Sequence, residues 1–215
     1  MAKLKPDVLT LETAEHDIGT ALRAWSGDER AVLFTKGLSS IRDLISWLLR
    51  RFGPAEQVDL SIWSFGLSNG DSVNEWIERG QVGRVRWLVD PSCRARQPGR
   101  WERLLEWFSP EDIRLCQTHA KVFRVLWADR EIAITSSANL NHNPRFEWLS
   151  VEVDPPVVAL VAKWFDREFD RACDITASEP AVRKEFKTLE LGGSTGEKVA
   201  SYWNQNKRGG WGMGW

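Results

Sequence analysis

The sequence predicts an α/β fold with a mixed, mainly parallel β-sheet that is flanked by helices on both faces. Two patterns lead to this prediction. Strand-like apolar runs alternate with amphipathic helical segments up to about residue 117, an order typical of parallel strands joined by crossover helices. Three strand-like runs then follow without helices between them, which makes the sheet mixed. The 215 residues are enough for one domain with its own core.

The first half of the chain alternates between the two periodicities. The run from Ala31 to Thr35 is compact and β-type. A helix with a serine N-cap, from the pair Ser39 and Ser40, comes next, and its apolar face comprises Ile41, Leu44, Ile45, Leu48 and Leu49. The elements that follow are a strand over 58–65, a helix over 71–78, a strand over 85–89, a helix through Trp101, Leu104, Leu105 and Phe108, and a strand over 113–116.

The second half contains strands over 120–127, 131–136 and 148–153 and a last amphipathic helix over 155–172. We expect three regions: a lead-in over 1–27, with a short helix through Ile18, Leu22 and Trp25, then an α/β domain over 28–175 and a tail over 176–215. The tail is rich in Gly and Trp and locally basic, so we expect it to be flexible or ordered by a partner.

Composition excludes several classes of protein. No apolar run is long enough to cross a membrane, and no apolar segment follows the N-terminal lysines as a secretory signal requires. Cys93, Cys116 and Cys173 form no C-x-x-C pair, so neither a disulfide framework nor a cysteine zinc site is expected. These features favour a cytoplasmic protein. The net charge is −1, so any nucleic-acid binding must come from local basic patches.

The candidate site lies on two consecutive predicted strands. His119 and Lys121 share one face of the first strand, and Ser137 and Asn139 share one face of the second if that segment is extended. A hairpin centred on Asp129 pairs His119 with Asn139 and Lys121 with Ser137. An imidazole, an ammonium, a hydroxyl and an amide would then form one phosphate-binding patch. The loop has no glycine, so the register could shift by one residue.

These residues resemble the phospholipase D superfamily signature H-x-K-x4-D-x6-G-S-x-N. His119 and Lys121 match its first half, and Ser137 and Asn139 match its second half, with Ser136 in place of Gly. Seven residues separate Lys121 from Asp129 where the family has four. The run from Ser136 to Glu147 also resembles small phospholipase D-like proteins of phages and prophages. The order of strands and helices over 30–172 is similar to that of the single-motif nucleases.

The resemblance implies a phosphodiesterase that needs no metal or other cofactor. It assigns His119 as the nucleophile, Lys121, Ser137 and Asn139 as phosphate-binding residues, and Glu147 as the carboxylate that orients His119. One motif supplies one such histidine, because His16 and His142 lack a lysine two residues later. The resemblance therefore implies a homodimer in which the second subunit supplies the acid for the leaving group.

Two basic features suggest the substrate. Arginines are concentrated in a predicted loop that leads onto a helix, and they are Arg94, Arg96, Arg100 and Arg103. They suit a nucleic-acid backbone, although an ordinary exposed loop accounts for them equally well. The aromatic residues of the basic tail could stack on unpaired bases or contact a partner, and an uncommitted tail is an equal alternative. The tryptophans of the domain are expected in the core.

The sequence therefore favours a metal-independent nuclease of the phospholipase D type, acting on nucleic acid as a homodimer. A catalytically lapsed module that binds nucleic acid or serves in assembly, possibly phage-related, is the alternative. The replacement of Gly by Ser136 and the altered spacing to Asp129 favour that alternative. Lipid hydrolysis is a third reading, and it requires an apolar entry surface that the sequence does not reveal.

Overall fold

The computed structural model describes residues 18–36, 39–140, 146–178 and 180–182, and in them it places one seven-stranded mixed sheet with six α-helices. The predicted α/β class is confirmed. The strands are β1 Ala31–Lys36, β2 Ala55–Ile62, β3 Val82–Val89, β4 Ile113–Leu115, β5 Lys121–Leu126, β6 Glu131–Ser136 and β7 Phe146–Glu152. The helices are α1 Ile18–Ala21, α2 Ile41–Phe52, α3 Leu67–Glu78, α4 Pro91–Arg96, α5 Pro98–Trp107 and α6 Pro155–Arg171.

The order of strands across the sheet is β1-β7-β6-β5-β2-β3-β4. Only β2–β3 and β3–β4 pair in parallel among the described strands, and the other four pairs are antiparallel. The expected predominance of parallel pairing is therefore wrong. The difference arises at β5. No helix separates β5 from β4, and β5 pairs antiparallel with β2 on the side away from β3.

Most predicted elements are present, and several begin a few residues earlier than predicted, among them β2 at Ala55 and β3 at Val82. Helix α2 has the predicted serine cap, which is Ser40, and a capping box completes it, because the Asp43 carboxylate accepts from the backbone N–H of Ser40 over 2.8 Å. Helix α1 is also present, and Ile18 belongs to the main core. Helix α3 begins at Leu67, four residues earlier than the prediction of Asp71. The arginine segment, expected as a loop, starts with helix α4.

The two faces of the sheet differ in polarity. Alternate residues of β2, such as Val58 and Leu60, enter the main apolar core together with buried residues of α1, α2, α3 and α5. Helix α6 packs on the opposite face through Phe165 and Phe169, which contact Leu88. The helices thus lie on both faces, as predicted, and the face under α6 also contains charged groups.

A buried ion-pair network lies beneath α6. Asp59, only 1% exposed, accepts from Arg86 over 2.8 and 2.9 Å and pairs with Arg124 over 3.2 Å. Asp166 of α6 pairs with both arginines, over 2.6 Å with Arg86 and 3.4 Å with Arg124. Burial alone would lower the pKa of Arg86, but hydrogen bonds and charges from Asp59 and Asp166 raise it above its ordinary value.

Cys93 is buried, and Cys116 and Cys173 are half-buried. Burial raises the pKa of Cys93 to about 11 and that of Cys116 to about 12, so both stay protonated at neutral pH. None of the described helices has the length and apolar character that crossing a bilayer demands. The tail beyond residue 182 and its aromatic residues lie outside the described residues.

We expect Asp59→Asn to destabilise the fold by about 3–5 kcal/mol, because it leaves two buried guanidinium groups without their central counter-charge. Urea unfolding at neutral pH measures this free energy. Glu75→Gln is the matched control, because it removes a carboxylate from an exposed ion pair with Arg79. Its cost should stay within about 1 kcal/mol. Equal losses in the two variants would contradict a structural role for the buried network.

Candidate active site

Four strand ends meet at one end of the sheet. Strands β2 and β6 finish there, at Ile62 and Ser136, while β5 and β7 begin there, at Lys121 and Phe146. The antiparallel pairings β2–β5, β5–β6 and β6–β7 produce this arrangement, because each reverses the chain direction. Residues distant in sequence are thereby brought to one site.

The hairpin of β5 and β6 differs in register by one residue from the prediction. The Trp127 N–H donates to the carbonyl oxygen of Arg130 over 2.9 Å, so the loop tip consists of Ala128 and Asp129 instead of being centred on Asp129. Lys121 consequently pairs with Ser136, not Ser137. Strand β6 ends at Ser136, so no strand pairing joins His119 to Asn139.

His119 and Lys121 are in direct contact. The Lys121 Nζ lies 2.7 Å from Nδ1 of the His119 ring and donates to the His119 carbonyl oxygen over 2.9 Å. The imidazole is exposed, whereas Lys121 is only 7% exposed. An exposed imidazole and a buried ammonium therefore lie side by side, an arrangement that suits the binding of an anionic group.

Three polar side chains hold the segment that carries His119. The Thr118 N–H donates to Asp90 Oδ2 over 3.2 Å, and the Thr118 hydroxyl accepts from the Ala120 N–H over 3.1 Å. The Ser61 hydroxyl donates to the Ala120 carbonyl oxygen over 3.1 Å. Asp90 also caps α4 by accepting from the Ser92 N–H over 2.9 Å. The backbone on both sides of His119 is thus fixed to the ends of β2 and β3.

The Ser136–Asn139 segment is anchored to β7 and to the start of α3. The Ser136 hydroxyl donates to the Trp148 carbonyl oxygen over 3.0 Å and accepts from the Ala138 N–H over 2.8 Å. Ser136 is thus a buried structural residue, and Ser137 is the exposed one. The Ser137 hydroxyl donates to the Glu147 carboxylate and accepts from the Trp148 N–H over 3.0 Å.

Asn139 carries an unsatisfied polar atom. Its Oδ1 is buried and has no hydrogen-bond partner among the described residues. The next residue, Leu140, is fixed by its carbonyl oxygen, which accepts from Asn69 Nδ2 over 3.0 Å and from the Gly66 N–H over 2.9 Å. A buried acceptor of this kind suits a hydrogen bond from a water molecule or a ligand.

Lys121 and Glu147 are coupled electrostatically. Burial lowers the pKa of Lys121 below its ordinary value, and the negative charge of Glu147 opposes that shift. Glu147 is therefore close enough to act on the ammonium while its carboxylate holds Ser137. The predicted role of Glu147 in orienting His119 stays a prediction.

The four arginines of the basic segment have different surroundings. Arg94 donates to the carbonyl oxygens of Ile175 and Ala177, and Arg100 donates to that of Phe65, so both tie backbone segments together. Arg103 pairs with Glu106. Arg96 is exposed and lies over the Trp63 ring at 5.4 Å, and that ring lies 5.5 Å from the His119 ring. Arg96 alone of the four is thereby linked to His119.

The motif aspartate lies away from these residues. Asp129, the uncertain motif aspartate, occupies the hairpin tip at the opposite end of β5 from Lys121, where it pairs with Arg130 at 3.6 Å. His142 lies outside the described residues. No cluster of three histidine, cysteine or carboxylate side chains that could hold a metal ion occurs in the described part of the chain.

Sequence reasoning missed Trp63, Asp90 and Thr118. Asp90 had a detectable signal, because an aspartate between a strand and a proline is typical of a helix cap. Trp63 continued an apolar strand pattern and was expected in the core with the other tryptophans. Nothing local distinguishes it, since its proximity to His119 depends on the pairing of β2 with β5.

No family model and no curated protein matches the chain. Among solved structures, NucT from Helicobacter pylori matches with a TM-score of 0.52 and 15% identity, over 68% of this chain and 99% of that one. Nuc from Salmonella typhimurium, a phospholipase D family member, matches with a TM-score of 0.51 and 14% identity, over 68% of this chain and 97% of that one. At these identities the likeness concerns the fold.

We expect Asp90→Asn to loosen the His119 segment selectively. The amide keeps one acceptor oxygen for the Ser92 N–H, but it cannot also accept from the Thr118 N–H. The amide-exchange protection of Thr118 should fall, while global stability should change by no more than about 1–2 kcal/mol. Asp43→Asn, at the cap of α2, is the control and should leave Thr118 protected. Unchanged protection of Thr118 in Asp90→Asn would exclude this anchoring role.

Proposed function

We propose, from this phospholipase D-like fold and the site at the end of its sheet, that the chain is a metal-independent phosphodiesterase acting on nucleic acid. The observation that carries the proposal is the contact between the exposed His119 ring and the buried Lys121 ammonium. A phosphodiester resists attack because it is anionic, so its cleavage requires a nucleophile next to a fixed positive charge. This pair supplies both.

The reaction we propose has two steps. A ring nitrogen of His119 attacks phosphorus, a P–N bond forms, and the P–O bond to the leaving alkoxide breaks. His119 of the partner subunit donates the proton that the alkoxide takes up. Water then attacks the phosphohistidine and loses a proton to the same partner histidine, so the P–N bond breaks and His119 is restored. The second subunit is required because one chain offers one histidine of this kind.

Lys121 has a specific part in this scheme. In the free site its ammonium is held by the ring and carbonyl of His119. A phosphoryl oxygen is a stronger acceptor, so substrate draws the ammonium away from the ring and frees the ring nitrogen for attack. The lowered pKa of Lys121 shows that burial disfavours its charge, and an anionic phosphate compensates for that cost.

Ser137, Asn139 and Glu147 complete the proposed pocket. Ser137 is exposed and supplies a hydroxyl for a phosphate oxygen once it turns from Glu147. Asn139 supplies its side-chain NH2 group as a donor to a phosphate oxygen, and its buried Oδ1 has no partner among the described residues. We retain Arg96 as the nucleic-acid contact from the basic segment, because Arg94 and Arg100 are occupied by backbone carbonyls and Arg103 by Glu106.

The alternative is a lapsed module that binds nucleic acid without cleaving it. The Ser137–Glu147 contact favours it, since a hydroxyl held by a carboxylate is less available to phosphate. The two functions differ in whether His119 is needed for turnover.

We expect the purified protein to cleave labelled oligonucleotides in excess chelator, and His119→Ala to reduce the rate at least about a thousandfold, because no other group replaces the nucleophile. Lys121→Ala should lower kcat/KM by about 100-fold to 1000-fold through the loss of one charged donor. Lys163→Ala, on the exposed side of α6, is the matched control and should be silent. Binding without cleavage by the unaltered protein would establish the lapsed module instead.

We also expect two histidines to be needed for each turnover. When unaltered and His119→Ala subunits exchange freely in equal amounts, homodimers of unaltered chains make up about a quarter of all dimers. Activity per dimer should therefore fall to about a quarter of that of the unaltered protein if both histidines act in one site. A fall to about half would indicate independent subunits, and a monomeric mass would contradict the shared site.

A further inference from the structure

Aromatic side chains lie along the same sheet end as His119 and Lys121. Trp63 directly follows β2, Trp148 lies on β7 and Phe34 lies on the edge strand β1. In strand order these positions lie on both sides of the β5–β6 hairpin that carries the phosphate-binding groups. Most other described tryptophans are buried or packed against the core, as expected for residues of this type.

Phe34 and Trp148 form an exposed cross-strand pair. They are register partners in the β1–β7 ladder, and they are 46% and 40% exposed. Leu149 and Val151 enter the main core, so Trp148 projects from the sheet face that carries α6. Helix α6 packs on β5 and β6 and leaves this pair accessible. Phe146, two residues along the same strand face, is 74% exposed.

The backbone of Trp148 connects this aromatic pair to the Ser136–Ser137 segment of the proposed phosphate site. The Trp148 backbone accepts from the Ser136 hydroxyl and donates to the Ser137 hydroxyl. On the other side of the hairpin, Trp63 lies against the His119 ring, and the Arg96 guanidinium lies over Trp63. A cation over an aromatic ring next to a phosphate site is a common element of nucleic-acid surfaces.

We propose that this site takes single-stranded nucleic acid, with unpaired bases stacked on Trp63 on one side of the scissile phosphate and on Phe34 and Trp148 on the other. This inference rests on the proposed function and specifies its substrate. Only unpaired bases can present their faces to a protein ring, because in a duplex the neighbouring base pairs cover them. A duplex would meet the same residues only through its backbone.

The dimensions agree with this assignment. Adjacent strands are about 4.8 Å apart, so β2 and β7, three positions apart, are separated by about 14 Å. This distance corresponds to about four nucleotides at the stacked repeat of about 3.4 Å and to fewer in an extended strand. In strand order Lys121, on β5, lies between the two aromatic groups.

Binding measurements in the His119→Ala background test the inference without cleavage. The probes are oligothymidylate, its duplex with oligoadenylate, and an abasic phosphodiester chain of equal length, all at one salt concentration. We expect oligothymidylate to bind most tightly. Trp63→Leu, and the double variant Phe34→Leu with Trp148→Leu, should each weaken its binding by about fivefold to 100-fold. Both should leave binding of the abasic chain unchanged.

Control variants separate stacking from apolar area and from misfolding. Trp148→Phe keeps an aromatic face and should retain most of the affinity that Trp148→Leu loses. Leu160→Ala removes an exposed apolar side chain from α6 and should have no effect. Equal binding of oligothymidylate and the abasic chain, or tighter binding of the duplex, would overturn the inference. A halved solution mass in the double variant would also overturn it, because the pair would then form a subunit interface.

Cleavage of the abasic chain by protein that retains His119 reports the chemistry alone. If that cleavage persists while the aromatic substitutions leave oligothymidylate binding unchanged, the proposed phosphodiesterase stands and the stacking inference fails. If the protein cleaves neither oligothymidylate nor the abasic chain, the proposed phosphodiesterase function is wrong. Tighter binding of oligothymidylate than of the abasic chain would then indicate a module that binds single strands without cleaving them.

Discussion

The antiparallel pairing of β5 with β2 determines which end of the sheet carries the candidate site. Strands β2, β3 and β4 run in parallel, and β5 reverses the chain direction beside β2. This reversal places the start of β5, with Lys121, next to the end of β2, with Trp63 directly after it. The return of the chain through β6 and β7 then adds Ser136 and Glu147 at the same end. A parallel β5 would have placed Lys121 at the opposite end of the sheet.

The interior supports this arrangement with two different kinds of packing. One face of the sheet is apolar and is covered by helices of the first half of the chain. The other face has Asp59 between two arginines, and α6 covers it partly with an aspartate of its own. Such a network is costly to desolvate and contributes little net stability, but the loss of one of its charged groups strongly destabilises the fold. It therefore restricts how α6 can sit on β2, β3 and β5.

The sequence was informative wherever periodicity or a cap fixed an element locally. The helix that begins after Ser40 and the pairing of β5 with β6 as a hairpin both followed from patterns within about 20 residues. The register of that hairpin did not follow from the sequence, because a loop tip of two residues and one of three are both compatible with it. The direction of β5 also depended on tertiary context, which is why the proportion of parallel pairing was overestimated.

A closed circuit of contacts surrounds the imidazole. Asp90 caps the helix that carries Arg96, Arg96 lies over Trp63, Trp63 lies against His119, and the residue before His119 returns to Asp90 through its amide. In such a circuit each contact limits the freedom of the next. The energetic effects of substituting two of these residues will therefore not be additive. A ligand that displaces the Arg96 guanidinium will affect the His119 ring without contacting that ring.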